Sequence, residues 1–290
     1  MGHRDVQGAP ALLPRGLDYL LVHVRTGRST FWGGTHILGW IYGLQALIRA
    51  ERMHFLPHER VAPLARDLIR HIANSQSPGG GWLYFDGTYE VHPEWTSSWG
   101  GAIGLMALLD AREAGYEVPE ATLMAARNAL RAARLPSGAT LYYVRPSGSP
   151  YDFANDSRGP AEDVPGSIGR TQVCNLARFQ AGDVGTEELL GGIALFFRHR
   201  KFLEVARCKG DNHACYYWVG GWFFLFGHGY AGQVIQKLPL EVRARYRCQL
   251  EEVLLAVQNP DGSWWDYPKD GYAGYTKAYG TAYALMGLAP

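Results

Sequence analysis

NSQSPGGGWLYF (Asn74–Phe85) and VQNPDGSWWDY (Val257–Tyr267) are two copies of one pattern. Each reads as the end of a helix, then Gln, a Pro/Gly turn, and Trp followed by another aromatic ring. A third copy, ARLPSGATLYYV (Ala133–Val144), keeps the turn but has lost the Gln and the Trp. Such internal repetition decides the fold, because a repeated unit buries its apolar face only against its neighbours.

Before the first copy, Val61, Leu64, Ala65, Leu68 and Ile72 recur at helical spacing, with Arg66, Asp67 and Arg70 between them. Leu250, Val253, Leu254 and Val257 do the same before the last copy. The segments that follow are of another kind. Trp95–Ala111 and Tyr275–Ala289 are small and apolar almost all round, as are Phe31–Ala50, Ser167–Gly182 and His213–Gly229. Aligned on one another they place Gly43, Gly104, Cys174, Gly221 and Ala284 at comparable heights. Glycine inside a helix costs about 1 kcal/mol relative to alanine, so its repetition points to close helix approach. The alternation predicts an all-α chain in two concentric layers, polar-faced helices outside and apolar helices inside. The inner helices would run parallel, with their N-termini and positive dipole ends meeting at one end.

Composition narrows the function classes. The chain has 290 residues, 47% hydrophobic and 19% charged, enough for a sizeable core without disulfide staples. Its net charge of +1 supplies no field to gather phosphates, so nucleic acid is not an expected partner. The excess lies in 36 Gly and in aromatic residues at 13% of the chain, and any reading must explain both. Cys174, Cys208, Cys215 and Cys248 form no CxxC pair and fit a reducing compartment, cytoplasmic by default. A secreted chain whose leader had been removed would look the same. Ala214–Gln236 lacks Asp, Glu, Lys and Arg, yet His228, Gln233 and Gln236 suit a buried helix better than a membrane span. Peripheral membrane contact is compatible with the chain, and composition leaves the oligomeric state open.

The Gln-x-x-x-Gly-x-Trp turn at Gln258–Trp264, its looser form at Gln76–Trp82, and helices reading AIGLMALLDA and TAYALMGLA resemble prenyltransferase/squalene oxidase repeats. These build squalene-hopene cyclase-like terpenoid cyclases and protein prenyltransferase β subunits. The likeness covers residue 30 onward and implies an α/α toroid of about five to six helical hairpins, a single domain over 1–290 with a loop insertion at 136–165. Several chemistries share that ring. The D-x-D-D acid of class II cyclases has no counterpart here. Of the zinc ligands of the prenyltransferases, the resemblance matches Cys215, puts His213 where the family has Asp, and puts Gly280 where it has His. A catalytic zinc needs three protein ligands, so no cofactor is expected, zinc staying open only through His213 and Cys215 with Asp211 or His36 as substitutes.

The candidate catalytic groups are Asp156 and Asp163 in the long loop, and Asp211 and His213 at the start of an inner helix, where a dipole stabilises an anion. Asp211 also reads as a helix cap and Cys215 as core packing. His36 and Arg170 occupy inner-helix starts, His36 as a shuttle, ligand or structural histidine. Arg170 is charged at the height of Gly100 and Gly280, suited to an anionic group or to a pair with Asp152 or Asp163. Trp95, Trp99, Tyr275 and Tyr279 cluster at two helix starts, to line a pocket by cation-π or stacking contact or to pack on one another. For Trp82 and Trp264, which sit in the turn motif, the resemblance implies a brace between outer and inner layers. The leading expectation is an aromatic-lined pocket for an apolar or isoprenoid-type small molecule, worked by acid/base rather than zinc chemistry. A carbohydrate-active toroid with paired carboxylates and a non-catalytic repeat scaffold are the other two classes.

Overall fold

The periodicities in the sequence become eleven α-helices among the described residues of the computed structural model, which are 9–24, 37–83, 96–144, 163–208, 215–265 and 273–289. In chain order they are α1 (Ala9–His23), α2 (Ile37–Arg52), α3 (His58–Asn74), α4 (Ser98–Glu113), α5 (Glu120–Ala133), α6 (Val164–Gln180), α7 (Thr186–His199), α8 (Lys201–Arg207), α9 (Phe224–Ile235), α10 (Leu240–Ala256) and α11 (Ala273–Leu288). Strands β1 (Thr96–Ser97) and β2 (Tyr143–Val144) pair antiparallel, and a 3-10 helix covers Cys215–Phe223. The chain is all-α in class. None of these helices is long and apolar enough to cross a membrane.

The polar-faced helices begin alike. α3, α5 and α10 start directly behind Pro57, Pro119 and Pro239, with Glu59, Glu120 and Glu241 in their first turns. Proline's fixed φ and an acidic side chain at the positive helix end both favour a start there. The apolar helices α2, α4, α6, α9 and α11 contact one another in chain order. α3 packs on α2, α5 on α4, α7 on α6, and α10 on α9 and α11. α4 from Gly100 to Leu109 and α6 from Gly166 to Ala177 are buried at every position, and α9 at all but Gln233. One cluster of buried apolar residues runs from Ile37 to Ala284.

The repeated turn keeps one geometry in all three copies. Ser77 N donates to Gly81 O at 2.9 Å, Leu135 N to Ala139 O at 3.0 Å, and Asn259 N to Ser263 O at 2.9 Å. Gly80, Gly138 and Gly262 occupy the matching position at φ of +89°, +94° and +83°, which a side chain would strain. Trp82 Nε1 donates to Ile72 O and Trp264 Nε1 to Leu254 O, each at 2.7 Å, capping the end of the helix before the turn. Gln76 and Gln258 close their own turns on Gly80 O and Gly262 O at 2.8 and 2.9 Å. The expected brace is thus a pair of carbonyl caps.

In the third copy Thr140 stands where the others have Trp, and the next helix makes up the difference. A Cβ on Gly104 of α4 would run into the Trp82 ring, and one on Gly100 would come to 2.6 Å of Trp82 O. On α6 the equivalent positions carry Cys174 and Arg170, both buried. Arg170 Nε donates to Thr140 O at 2.8 Å, where the other copies bring hydroxyls, Thr96 Oγ1 to Trp82 O at 2.8 Å and Thr281 Oγ1 to Trp264 O at 3.2 Å.

Small residues do bring helices together, while Gly221 falls in the 3-10 segment rather than at the α-helical height expected for it. The close approaches of α9 come later. A Cβ on Gly227 would meet Gly169 Cα at 2.8 Å, one on Gly229 would meet Tyr283 O at 2.8 Å, and one on Gly232 would collide with Gly287. The pairs Gly229–Tyr283 and Gly232–Gly287 advance in the same direction, so α9 and α11 run parallel, as expected of the inner set.

Candidate functional site

Rings from four of the apolar helices meet in one cluster. Phe226 on α9 lies 5.7 Å from Trp99 of α4, 5.3 Å from Phe223, 4.8 Å from Tyr230 and 5.2 Å from Tyr283 of α11, centroid to centroid. Tyr279 stacks edge-on to Tyr283 at 4.7 Å, and Tyr142, just before β2, reaches Phe223 at 6.1 Å. The spacing that builds this is helical. Phe226/Tyr230 and Tyr279/Tyr283 are i, i+4 pairs, each presenting two rings on one face.

At its deep end the cluster carries hydroxyls. Tyr42 Oη of α2 hydrogen-bonds Tyr283 Oη and lies 3.4 Å from Tyr230 Oη, drawing α2, α9 and α11 onto one point. Burial pushes the Tyr42 phenol above its ordinary pKa against the opposing effect of those hydroxyls. Tyr230 and Tyr283 are raised well above theirs, by burial first and by the neighbouring phenols second. The three therefore stay protonated and serve as neutral donors and acceptors, not as bases. Phe226, Tyr230 and Tyr283 are buried, whereas Tyr42 and Trp99 are partly exposed and Tyr279 is 38% exposed. A ligand reaching the cluster from solvent would meet Tyr279 and Trp99 before the hydroxyls.

Of the residues singled out in the sequence, Trp99 and Tyr279 belong to this cluster, joined through Phe226 and Tyr283. Arg170 lies behind it. It is fully buried, its guanidinium 5.4 Å from the centre of the Tyr142 ring, with Nε on Thr140 O and a second nitrogen on Gly166 O at 3.2 Å. Asp163 is exposed and occupies the N-cap of α6, its backbone oxygen accepting from Ser167 N at 3.0 Å and its side chain making no cap bond. Cys215 opens the 3-10 helix and Tyr275 lies in the first turn of α11, their side chains outside what is described. His36, Trp95, Asp156, Asp211 and His213 all lie outside the described residues, as does Asp152. Among the described residues no three His, Cys, Asp or Glu side chains group as a metal site would require.

Sequence reasoning missed Tyr42, Tyr230 and Tyr283. Each sits at an unremarkable inward position of its own helix, and only the packing of three helices distant in sequence joins their hydroxyls. It also passed over a second buried group. His228 of α9 is fully enclosed, its Nδ1 on Phe224 O at 2.7 Å and its ring 4.9 Å from Phe196 and 4.4 Å from Phe224. A carbonyl only accepts, so Nδ1 carries the proton and Nε2 presents a lone pair. Burial pushes the imidazole down to about 4, so it is neutral at physiological pH. Cys174, also buried, is pushed up to about 12 and is no thiolate.

No protein-family model matches this chain, and no match to it is found among curated proteins.

Proposed function

We propose that the chain is an α/α toroid whose aromatic cluster forms the wall and floor of a central site for an apolar small molecule of isoprenoid type. The reading of the helices as a ring is supported by their contact in chain order and by the Tyr42–Tyr283 bond, which links the first of the apolar helices to the last. The observation that carries the ligand class is the cluster itself, rings of Trp99, Phe226, Tyr230, Tyr279 and Tyr283 converging from three helices onto neutral phenols.

Such walls suit an apolar chain and stabilise positive charge developing on it, through ring faces rather than through counter-ions. The phenols are too weakly acidic to start a reaction. Proton transfer falls to Asp156, Asp163, Asp211 or His213, which the repeat pattern assigns to the start of inner helices or the loop before them. Lyase, isomerase or transferase chemistry on a carbocation follows from this assignment, without zinc.

Titration of the full chain with farnesol, followed by quenching of tryptophan fluorescence, tests the reading. Saturable quenching that weakens at least tenfold in Trp99→Ala and Tyr279→Ala supports it. A folded chain that shows no saturable quenching overturns it. A non-catalytic scaffold is the second reading, favoured by the mutual packing of the rings and by the exposed apolar residues Leu12, Tyr19 and Val22 on α1.

A further inference from the structure

We propose that the interface between α6 and α7 holds an internal hydration site, a polar seam that carries one or more water molecules from the ion pair at Glu188 inward toward His228. Four observations assemble it, and none depends on the aromatic cluster.

Gln172 and Asn175 of α6 are 0% and 1% exposed, yet Gln172 Oε1 and both polar atoms of the Asn175 amide have no hydrogen-bond partner. They lie against the same residue of α7. Gln172 Nε2 donates to Gly192 O at 3.2 Å, and a Cβ built on Gly192 would run into Asn175 Nδ2 and stand 4.0 Å from Gln172 Oε1. Glycine at 192 thus gives the Asn175 amide room to lie against α7, beside Gln172 Oε1, with its polar atoms unpartnered.

One turn toward the start of α7, Glu188 accepts from Arg134 at 2.7 Å and from Arg178 at 3.3 Å, and it is 31% exposed, so this end of the seam touches solvent. Arg178 follows Asn175 by three residues on α6, and its Nε is a buried donor with no partner. One turn the other way, Phe196 of α7 packs on His228, whose Nε2 is a buried acceptor with no partner. From one end to the other the unpartnered atoms read Arg178 Nε, Asn175 Oδ1 and Nδ2, Gln172 Oε1 and His228 Nε2.

The chemistry of these atoms selects the guest. Three are acceptors, so the guest must donate more than one hydrogen bond. A cation is disfavoured beside Arg178 and Arg134 at one end and Arg200 and Arg207, whose charges bear on His228, at the other. The donors also rule out an apolar filling. Water, with two donors and two acceptors and a need for two to four polar neighbours, meets all these conditions.

Crystallography of the full chain at high resolution, paired with 15N NMR of the His228 ring, tests this. The expected result is an ordered water within hydrogen-bond distance of both Asn175 and Gln172. The His228 Nε2 resonance should also take the shift of a hydrogen-bonded acceptor, and it should move toward that of a free lone pair in Asn175→Leu. Gly192→Ala, whose methyl would run into the Asn175 amide and move it, should displace the water, and Asn175→Leu serves alone if that variant does not fold. A seam in which Asn175 and Gln172 pair directly with each other, or a dry seam with an unchanged His228 signal in Asn175→Leu, overturns the proposal.

Discussion

The hydroxyl of Tyr42 on α2 hydrogen-bonds the hydroxyl of Tyr283 on α11, across 241 residues of sequence. The same oxygen lies 3.4 Å from Tyr230 of α9, so one phenol joins three helices. Tyr42→Phe removes both contacts and leaves two enclosed hydroxyls short of a partner. The expected loss of stability in urea unfolding is about 1 to 3 kcal/mol. Tyr42→Phe and Tyr283→Phe should be strongly non-additive, because each deletes the same bond. Additive effects would mean that the two hydroxyls do not interact.

The Trp82 ring occupies the space that a side chain at Gly104 would need. Gly104→Ala should destabilise the chain by about 2 kcal/mol or more, through overpacking of a filled interior. In a Trp82→Leu background the added methyl has room, and the same substitution should cost little. A denaturant double-mutant cycle that gives equal costs in both backgrounds would refute this packing relation.

Arg170 takes the place on the Thr140 carbonyl that hydroxyls hold in the other two turns. Arg170→Gly removes a buried cation from Thr140 O and Gly166 O, with an expected loss of about 3 kcal/mol in thermal or chemical unfolding. Adding Thr140→Trp and Cys174→Gly to that variant rebuilds the arrangement of the first copy. The triple variant should regain stability over Arg170→Gly alone, and a further loss would show that the three copies are not interchangeable.

His228 makes stability depend on acid. Its folded-state pKa of about 4 lies below the 6.5 of a free imidazole, so the unfolded chain takes up the proton first. Stability from this group is complete above pH 6.5, declines as pH falls toward 4, and levels off below, a total of about 3 kcal/mol. Urea midpoints measured between pH 7.5 and 4 should fall less steeply in His228→Phe than in the parent chain.

Asp183 acts at lower pH. Burial tends to raise its pKa, but hydrogen bonds from Arg127 and Arg131, both at 2.6 Å, prevail and hold it below the usual carboxylate value. Its contribution is present above pH 3.8 and is lost as pH falls through its depressed value. Asp183→Asn should cost about 1 kcal/mol at pH 7 and nothing at the lowest pH at which the fold survives.

The turns and the alternation of helix types were legible in the sequence, because each is a local pattern of a few residues with one physical solution; the tryptophan braces were legible only through the resemblance. The faded copy was legible for the same reason, since Pro136 and Gly138 suffice for the turn. What replaces the missing indole was not legible. That Arg170 bonds the Thr140 carbonyl depends on a contact across 30 residues, and the charge alone read as a candidate for an anion or a carboxylate. Gly221 was misplaced because an α-helical period was extended through a segment that winds as a 3-10 helix. Of the site, Trp99 and Tyr279 were found by their place at helix starts. Tyr42, Tyr230 and Tyr283 were not, because nothing local distinguishes a tyrosine that meets two others from one that merely packs.

The order in which the apolar helices touch has a consequence for how the chain is made. Each of α2, α4, α6 and α9 docks on the next to leave the ribosome, so most contacts form between recently synthesised neighbours, and growth from the N-terminus is favoured over long searches. The bonds of Tyr42 to Tyr230 and Tyr283 run against this order, the second closing a loop of 241 residues. Until α11 is complete, the small-residue face of α2 at Gly39 and Ala46, still solvent-exposed in the finished fold, lacks even that anchor. Nascent chains arrested before residue 273 should therefore be the species that chaperones hold and proteases cut.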